Sequence, residues 1–79
     1  MELKQLQYFV TSVDLGSFKK AADALYTTQP HVSKTIKALE DELGLTLFDR
    51  HPVGVTITEA GKHACATAAS AVRTYVRRR

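Results

Sequence analysis

Five residues lying close together in the chain, Gln29, Pro30, Ser33, Lys34 and Lys37, carry the chemistry best suited to recognising another molecule. Ser33, Lys34 and Lys37 project from one side of a helix, and Gln29 and Pro30 sit at its exposed N-terminal end. Val32, Ile36, Leu39 and Leu43 are spaced four, three and four apart, which makes an apolar stripe on the opposite side. A helix with an aliphatic back, and small polar and cationic groups at the front of its first two turns, can enter the major groove of DNA. No catalytic constellation competes with this reading. There is no Ser/His/Asp grouping with a supporting motif and no glycine-rich phosphate loop. His31, His51 and His63 are scattered, with no second ligand at a metal-binding spacing. The expectation is no metal, no cofactor and no enzymatic activity.

The elements that must position this front are legible on either side of it. Thr28 is the N-cap candidate, Pro30 falls in the first turn where a missing N–H costs nothing, and Gly44 sits where a left-handed residue stops a helix. Upstream, Leu3, Leu6, Phe9, Val10 and Val13 make the stripe of a scaffold helix over residues 1–14, ended by Gly16. Ser17 caps a second helix whose inner face is Phe18, Ala21, Ala22 and Leu25, and the alanine pair permits close helix approach. A tight turn over residues 26–28 completes a helix-turn-helix. As a pattern alone this also fits other helical hairpins.

Downstream, the runs at 45–50 and 55–58 flank a Pro/Gly turn and read as a small hairpin, a wing. Two strands alone are marginal, so Leu47, Phe48, Val55 and Ile57 must lean on the helices. Arg50, at the mouth of the hairpin, can reach a phosphate or the minor groove; the alternatives are a solvated charge or a salt bridge to a nearby acid. From Thr58, an N-cap candidate, an alanine-rich helix runs to the chain end, about 30 Å at about 1.5 Å per residue. Its seam is Ala60, Ala64, Thr67 or Ala68, Ala71, Val72, Tyr75 and Val76. Only its first turns can cover the small domain, so the rest calls for a matching helix from a second chain. The alternative is a frayed tail with Arg77, Arg78 and Arg79 simply solvated.

Composition sets the bounds. Seventy-nine residues allow one small domain, and 44% apolar residues is ordinary for a globular one. The net charge of +3 fits a polyanion partner without demanding one. The single cysteine, Cys65, forbids an intrachain disulfide and fits a reducing cytoplasm. No apolar run approaches a membrane span, and the N-terminus lacks a signal-peptide pattern. The expected location is therefore cytoplasmic, without membrane contact.

The blocks S-F-K-K-A-A-D-A-L, T-Q-P-H-V-S-K-T-I-K-A-L-E-D-E-L-G, L-F-D-R and T-I-T-E-A-G, in this order and spacing, resemble the N-terminal domain of the LysR-type transcriptional regulators. The resemblance is collinear from Leu3 to about Ala71. It implies a mainly α fold: a winged helix-turn-helix with a three-helix core and a β-hairpin wing over residues 1–57, its helix-turn-helix at about 18–37. A linker and dimerisation helix follows over 58–79, cut short. The family's C-terminal effector-binding domain is absent, so a small-molecule effector would act only through that missing part. The implied function is sequence-specific binding of double-stranded DNA as a homodimer, with the second motif helix in the major groove. A winged-helix protein-interaction module is the alternative, since fold does not fix function.

Position by position, Gln29, Pro30, Ser33 and Lys34 match the family's groove-contacting residues, and Arg50 matches the arginine after the L-F pair. Gln29 suits a bidentate pair with adenine, Ser33 can donate or accept, and Pro30 can lie on a thymine methyl. Lys34 and Lys37 suit phosphate or guanine. Ser17, Lys20 and Thr28, near helix N-termini, suit phosphate. Three departures stand out. Lys34 replaces the usual arginine and loses a bidentate fork. Val53 replaces a second wing arginine. His31 replaces a small apolar residue.

Overall fold

The computed structural model describes residues 2–52 and 54–77, with side chains described through residue 68. Val53 and the seam residues Ala71, Val72, Tyr75 and Val76 therefore lie outside the described side chains, as do Arg77, Arg78 and Arg79. Four helices and one hairpin follow in order: α1 (Leu3–Leu15), α2 (Phe18–Ala24), α3 (Gln29–Leu43), β1 (Phe48–His51), β2 (Gly54–Ile57) and α4 (Glu59–Arg77).

The helix ends are fixed by the residues that the sequence singles out. Gly16 and Gly44 take left-handed φ values of 66° and 68°, and their N–H groups donate to Ser12 O and Glu40 O. Ser17 Oγ accepts from the Lys20 N–H at 3.1 Å, and Thr28 Oγ1 from the His31 N–H at 3.3 Å. Each satisfies a donor that the first helical turn would otherwise leave unpaired. Between α2 and α3 Tyr26 adopts φ 56°, a left-handed residue within the turn that joins the two helices.

The core lies where α1, α2, α3 and the root of the hairpin meet. Phe9, Phe18, Val32, Ile36, Leu39, Leu47 and Phe48 are buried there, with Ala21 and Ala22 of α2. Phe48 joins the parts: its ring meets Phe9 edge-on at 5.7 Å and Phe18 at 5.2 Å. The antiparallel register pairs Phe48 with Ile57, Arg50 with Val55 and His51 with Gly54. Val55 and Ile57 pack partly buried against the core, so the wing leans on the helices as its two-strand size requires. Thr58 closes the joint to α4. Its hydroxyl donates to Thr46 O at 2.6 Å and accepts from the Gly61 N–H at 2.9 Å.

Two stripes differ from the sequence expectation. On α1, Tyr8 and Ser12 are buried beside Phe9, while Leu3, Leu6, Val10 and Val13 are only half-buried. Ser12 enters the core at no polar cost because its hydroxyl donates to Tyr8 O, one turn back, at 2.8 Å. On α3, Leu43 is 36% exposed and Glu40 is buried. Leu43 sits in the last turn and lines a shallow apolar groove with Leu6, Phe9, Leu39, Leu45, Ala64 and Ala68. Glu40 is held inside by backbone donors from the start of the wing.

Candidate nucleic-acid interface

The expected contact residues gather around α3. At about 100° per residue the helix turns Val32, Ile36 and Leu39 inward. Gln29, Pro30, Lys34 and Lys37 are left exposed and Ser33 half-buried. Gln29 and Ser33 form one wall of a cleft of about 400 Å³. Ser17, Phe18 and Lys19 of the α2 start form another wall, and Arg50, His51, Pro52, Gly54 and Val55 of the wing close it. Ser17, Gln29, Ser33 and Arg50, far apart in sequence, thus share one surface. Thr28 and Lys20 flank it as exposed residues of the α3 and α2 N-termini, where backbone N–H groups favour anions.

Lys34 stands apart from that cleft. It lines a second one on the α1 side of α3, with Glu2, Lys4, Gln5, His31, Thr35 and Ala38. Lys37 pairs with Asp41 one turn on, at 3.4 Å, and both side chains are well exposed. Pro30 lies exposed between the two flanks.

Arg50 is more constrained than a free wing cation. Its Nη1 donates to Glu40 Oε1 at 3.1 Å, and its guanidinium carbon lies 5.5 Å from the centre of the Phe18 ring. The side chain remains 36% exposed, whereas Glu40 is 4% exposed. Glu40 Oε2 also accepts the N–H groups of Leu47 at 2.7 Å and Phe48 at 3.2 Å. One carboxylate thus fixes the chain as it leaves α3 and orients the arginine at the mouth of the hairpin. In the sequence Glu40 begins an acidic run with Asp41 and Glu42 at the helix end; its burial is not legible there, because the donors that hold it come from seven and eight residues downstream.

Lys19 and His51 line the first of these clefts and Lys4 the second, and none of them is assigned a contact role from the sequence alone. The pair Lys19-Lys20, beginning two residues after the Ser17 cap, is the available signal for Lys19. Among the described residues no group of three His, Cys, Asp or Glu side chains is placed to hold a metal. No helix there is long and apolar enough to cross a membrane.

Residues 3–62 match the family model described as bacterial regulatory helix-turn-helix protein, lysR family. The HTH-type transcriptional regulator TfdT of Cupriavidus pinatubonensis is 44% identical over 62 residues, covering 78% of this chain and 27% of that protein. The HTH-type transcriptional regulator CysB of Haemophilus influenzae is 48% identical over 64 residues, covering 78% of this chain and 20% of that one. The chain thus spans only about a fifth to a quarter of these curated relatives. Among solved structures, the DNA complex of the CbnR DNA-binding domain superposes with a TM-score of 0.93 at 32% identity, covering 98% of this chain and 88% of that one. The complex of the BenM DNA-binding domain with catB site 1 DNA gives 0.92 at 39% identity, with 98% and 86% covered.

Proposed function

This chain belongs to the lysR family of bacterial regulatory helix-turn-helix proteins, and from that premise we propose that it binds double-stranded DNA sequence-specifically, as a dimer, with α3 in the major groove. The observation that carries the reading is the shared cleft. It brings a helix N-terminus (Ser17, Lys19), the polar front of the recognition helix (Gln29, Ser33) and the wing (Arg50, His51) onto one surface. That is the sorting a duplex needs: backbone contacts to fix register and base-edge contacts to read sequence. The likeness to two domains solved on DNA supports it.

In this reading Gln29, Pro30 and Ser33 face base edges, and Lys34 and Lys37 face bases or phosphate. Ser17, Lys20, Thr28 and Arg50 serve the phosphate backbone. Residues 1–57 form the DNA-binding unit, and α4 is the linker through which two copies pair. The apolar groove beside α4, with exposed Leu43 and Leu45, gives a second copy apolar surface to cover. The activity is regulatory rather than enzymatic, as the names of the curated relatives suggest, and a DNA-binding role in a bacterial family places it in the cytoplasm. A small-molecule effector would act through a further domain outside this chain. A winged-helix protein-interaction module fits less well, because Pro30 is the one apolar side chain among the exposed residues of the first two turns of α3, 29–37.

Selection from a random duplex pool, followed by titration against the selected and scrambled sequences, tests the reading. Gln29→Ala should relax preference at one base pair by about 1–3 kcal/mol. Lys34→Ala should weaken binding to every sequence and lower the salt slope by about 0.9. No duplex binding even at low salt would overturn the proposal.

A further inference from the structure

An α-helix about 10–12 Å across fills a major groove about 12 Å wide, so phosphates of both strands stand beside it. The start of α2 supplies groups for one of these walls. Gln29 and Ser33, on the α3 flank nearest to it, lie roughly half a helical turn from His31 and Thr35. The opposite flank therefore needs its own cations.

It has them, in an arrangement that the family resemblance does not assign. Lys4, in the first turns of α1, places its Nζ 5.6 Å from the centre of the Tyr8 ring. Tyr8 is 7% exposed, and its ring meets His31 edge-on at 5.6 Å with planes at 81°. A buried aromatic platform thus holds an ammonium and an imidazole that both face solvent. His31 and Lys34 line the same cleft of about 310 Å³ as Lys4. Among the described residues, neither Lys4 nor Lys34 has a carboxylate within ion-pair reach, in contrast to Lys37, Arg50 and Lys62. Glu2 is the one acidic residue lining the cleft.

We propose that Lys4 and His31, braced by Tyr8, form a second phosphate-contact site on the α1 flank of the recognition helix. The site grips the strand opposite the one served by the α2 N-terminus. It rests on the DNA-binding reading and extends the contact surface to α1. Lys4 contributes a full charge and Lys34 a neighbouring one. The imidazole contributes a hydrogen-bond donor whose direction is set by its edge contact with Tyr8. His31, where the family pattern has a small apolar residue, thereby acquires a contact role.

The whole chain is titrated with selected and scrambled duplexes between 50 and 200 mM salt, as wild type, Lys4→Gln, Lys4→Arg and His31→Ala. Losing one ionic contact shrinks the affinity ratio across that range about 3.5-fold and lowers the salt slope by about 0.9. Lys4→Gln should show this loss on both duplexes with an unchanged thermal midpoint, and Lys4→Arg should retain the wild-type slope. His31→Ala should weaken both complexes by a similar factor. Duplexes with single phosphates replaced by neutral methylphosphonates locate the contact. One replacement should weaken the wild type and leave Lys4→Gln unaffected. An unchanged slope in Lys4→Gln, or equal sensitivity of both proteins at every phosphate, overturns the inference. Failure of the wild type to bind any duplex overturns instead the DNA-binding reading beneath it.

Discussion

Removing the Glu40 carboxylate should detach the wing from the helices, and two substitutions separate its two tasks. In Glu40→Ala the N–H groups of Leu47 and Phe48 lose their acceptor, and both residues are essentially inaccessible to water. Each unsatisfied buried donor costs about 1–3 kcal/mol. The loss of Arg50's partner adds little, because that side chain is one-third exposed and solvent screens it. A total of about 3–5 kcal/mol compares with a whole-domain stability of about 4–12 kcal/mol for a chain of this length. Glu40→Gln is the finer probe. Both backbone donors use the same oxygen, Oε2, so the amide oxygen can keep both bonds while its NH₂ faces Arg50 Nη1, donor against donor. It should cost about 1–2 kcal/mol, with most of the wing intact. Urea denaturation followed by circular dichroism gives both values, and amide hydrogen exchange at Leu47 and Phe48 identifies the donors. If Glu40→Ala loses less than about 1 kcal/mol, the carboxylate is not what satisfies those groups and the reasoning fails.

Other expectations follow from the same geometry. Gly61→Ala would place a methyl group against the Leu47 carbonyl oxygen and 2.8 Å from Ile57 Cγ1; a loss of about 1–3 kcal/mol or more in a urea melt is expected, and a neutral outcome would mean that α4 slides freely on the wing. Tyr26→Asn should stabilise by about 0.5–1 kcal/mol, since the ring is 98% exposed and asparagine tolerates φ 56° better; a lower melting temperature would show that the tyrosine makes a contact important to the fold. Lys37→Ala should lower the DNA salt slope by less than Lys34→Ala, because Asp41 already neutralises Lys37; equal slopes would show that the ion pair opens at no cost on binding.

Much of the architecture could be read from local chemistry. Ser17, Thr28, Gly16 and Gly44 bound the helices because each acts on donors or acceptors a few residues away, within reach of a sequence pattern. The alanine pair and the stripe Val32, Ile36 and Leu39 likewise carry periods that survive folding. What escaped was set by contacts at long sequence separation. Glu40 reads as a surface acid until Leu47 and Phe48 return to it, and Leu43 reads as core until it falls in the last turn beside an open groove. Tyr8 lies outside the α1 stripe legible in the sequence, and only the folded chain brings His31 and Lys4 to its ring. The gathering of Ser17, Gln29, Ser33 and Arg50 into one cleft is of the same kind, and there the family pattern supplied what periodicity could not.

A net charge of +3 says little about where a polyanion would lie; the pairing of the charges says more. Among the described residues the cations sort into two sets. Lys37, Arg50 and Lys62 each have a carboxylate partner at 3.1–3.4 Å. Lys4, Lys19, Lys20 and Lys34 have none. The unpaired set is not scattered: Lys19 lines the cleft on the α2 side of the recognition helix, with Lys20 beside it in sequence, and Lys4 and Lys34 line the cleft on the α1 side. Unpaired surface ammonium groups repel one another, weakly in water and salt, so their arrangement does nothing for the fold. A phosphate backbone on each side of α3 would neutralise both groups and release the counterions that otherwise screen them. Free positive charge thus lies on both sides of one helix, as phosphate lies on both sides of one groove. In the proposed reading that two-sided arrangement favours a duplex over a generic acidic surface, since a flat acidic partner would reach one flank and leave the other unmet.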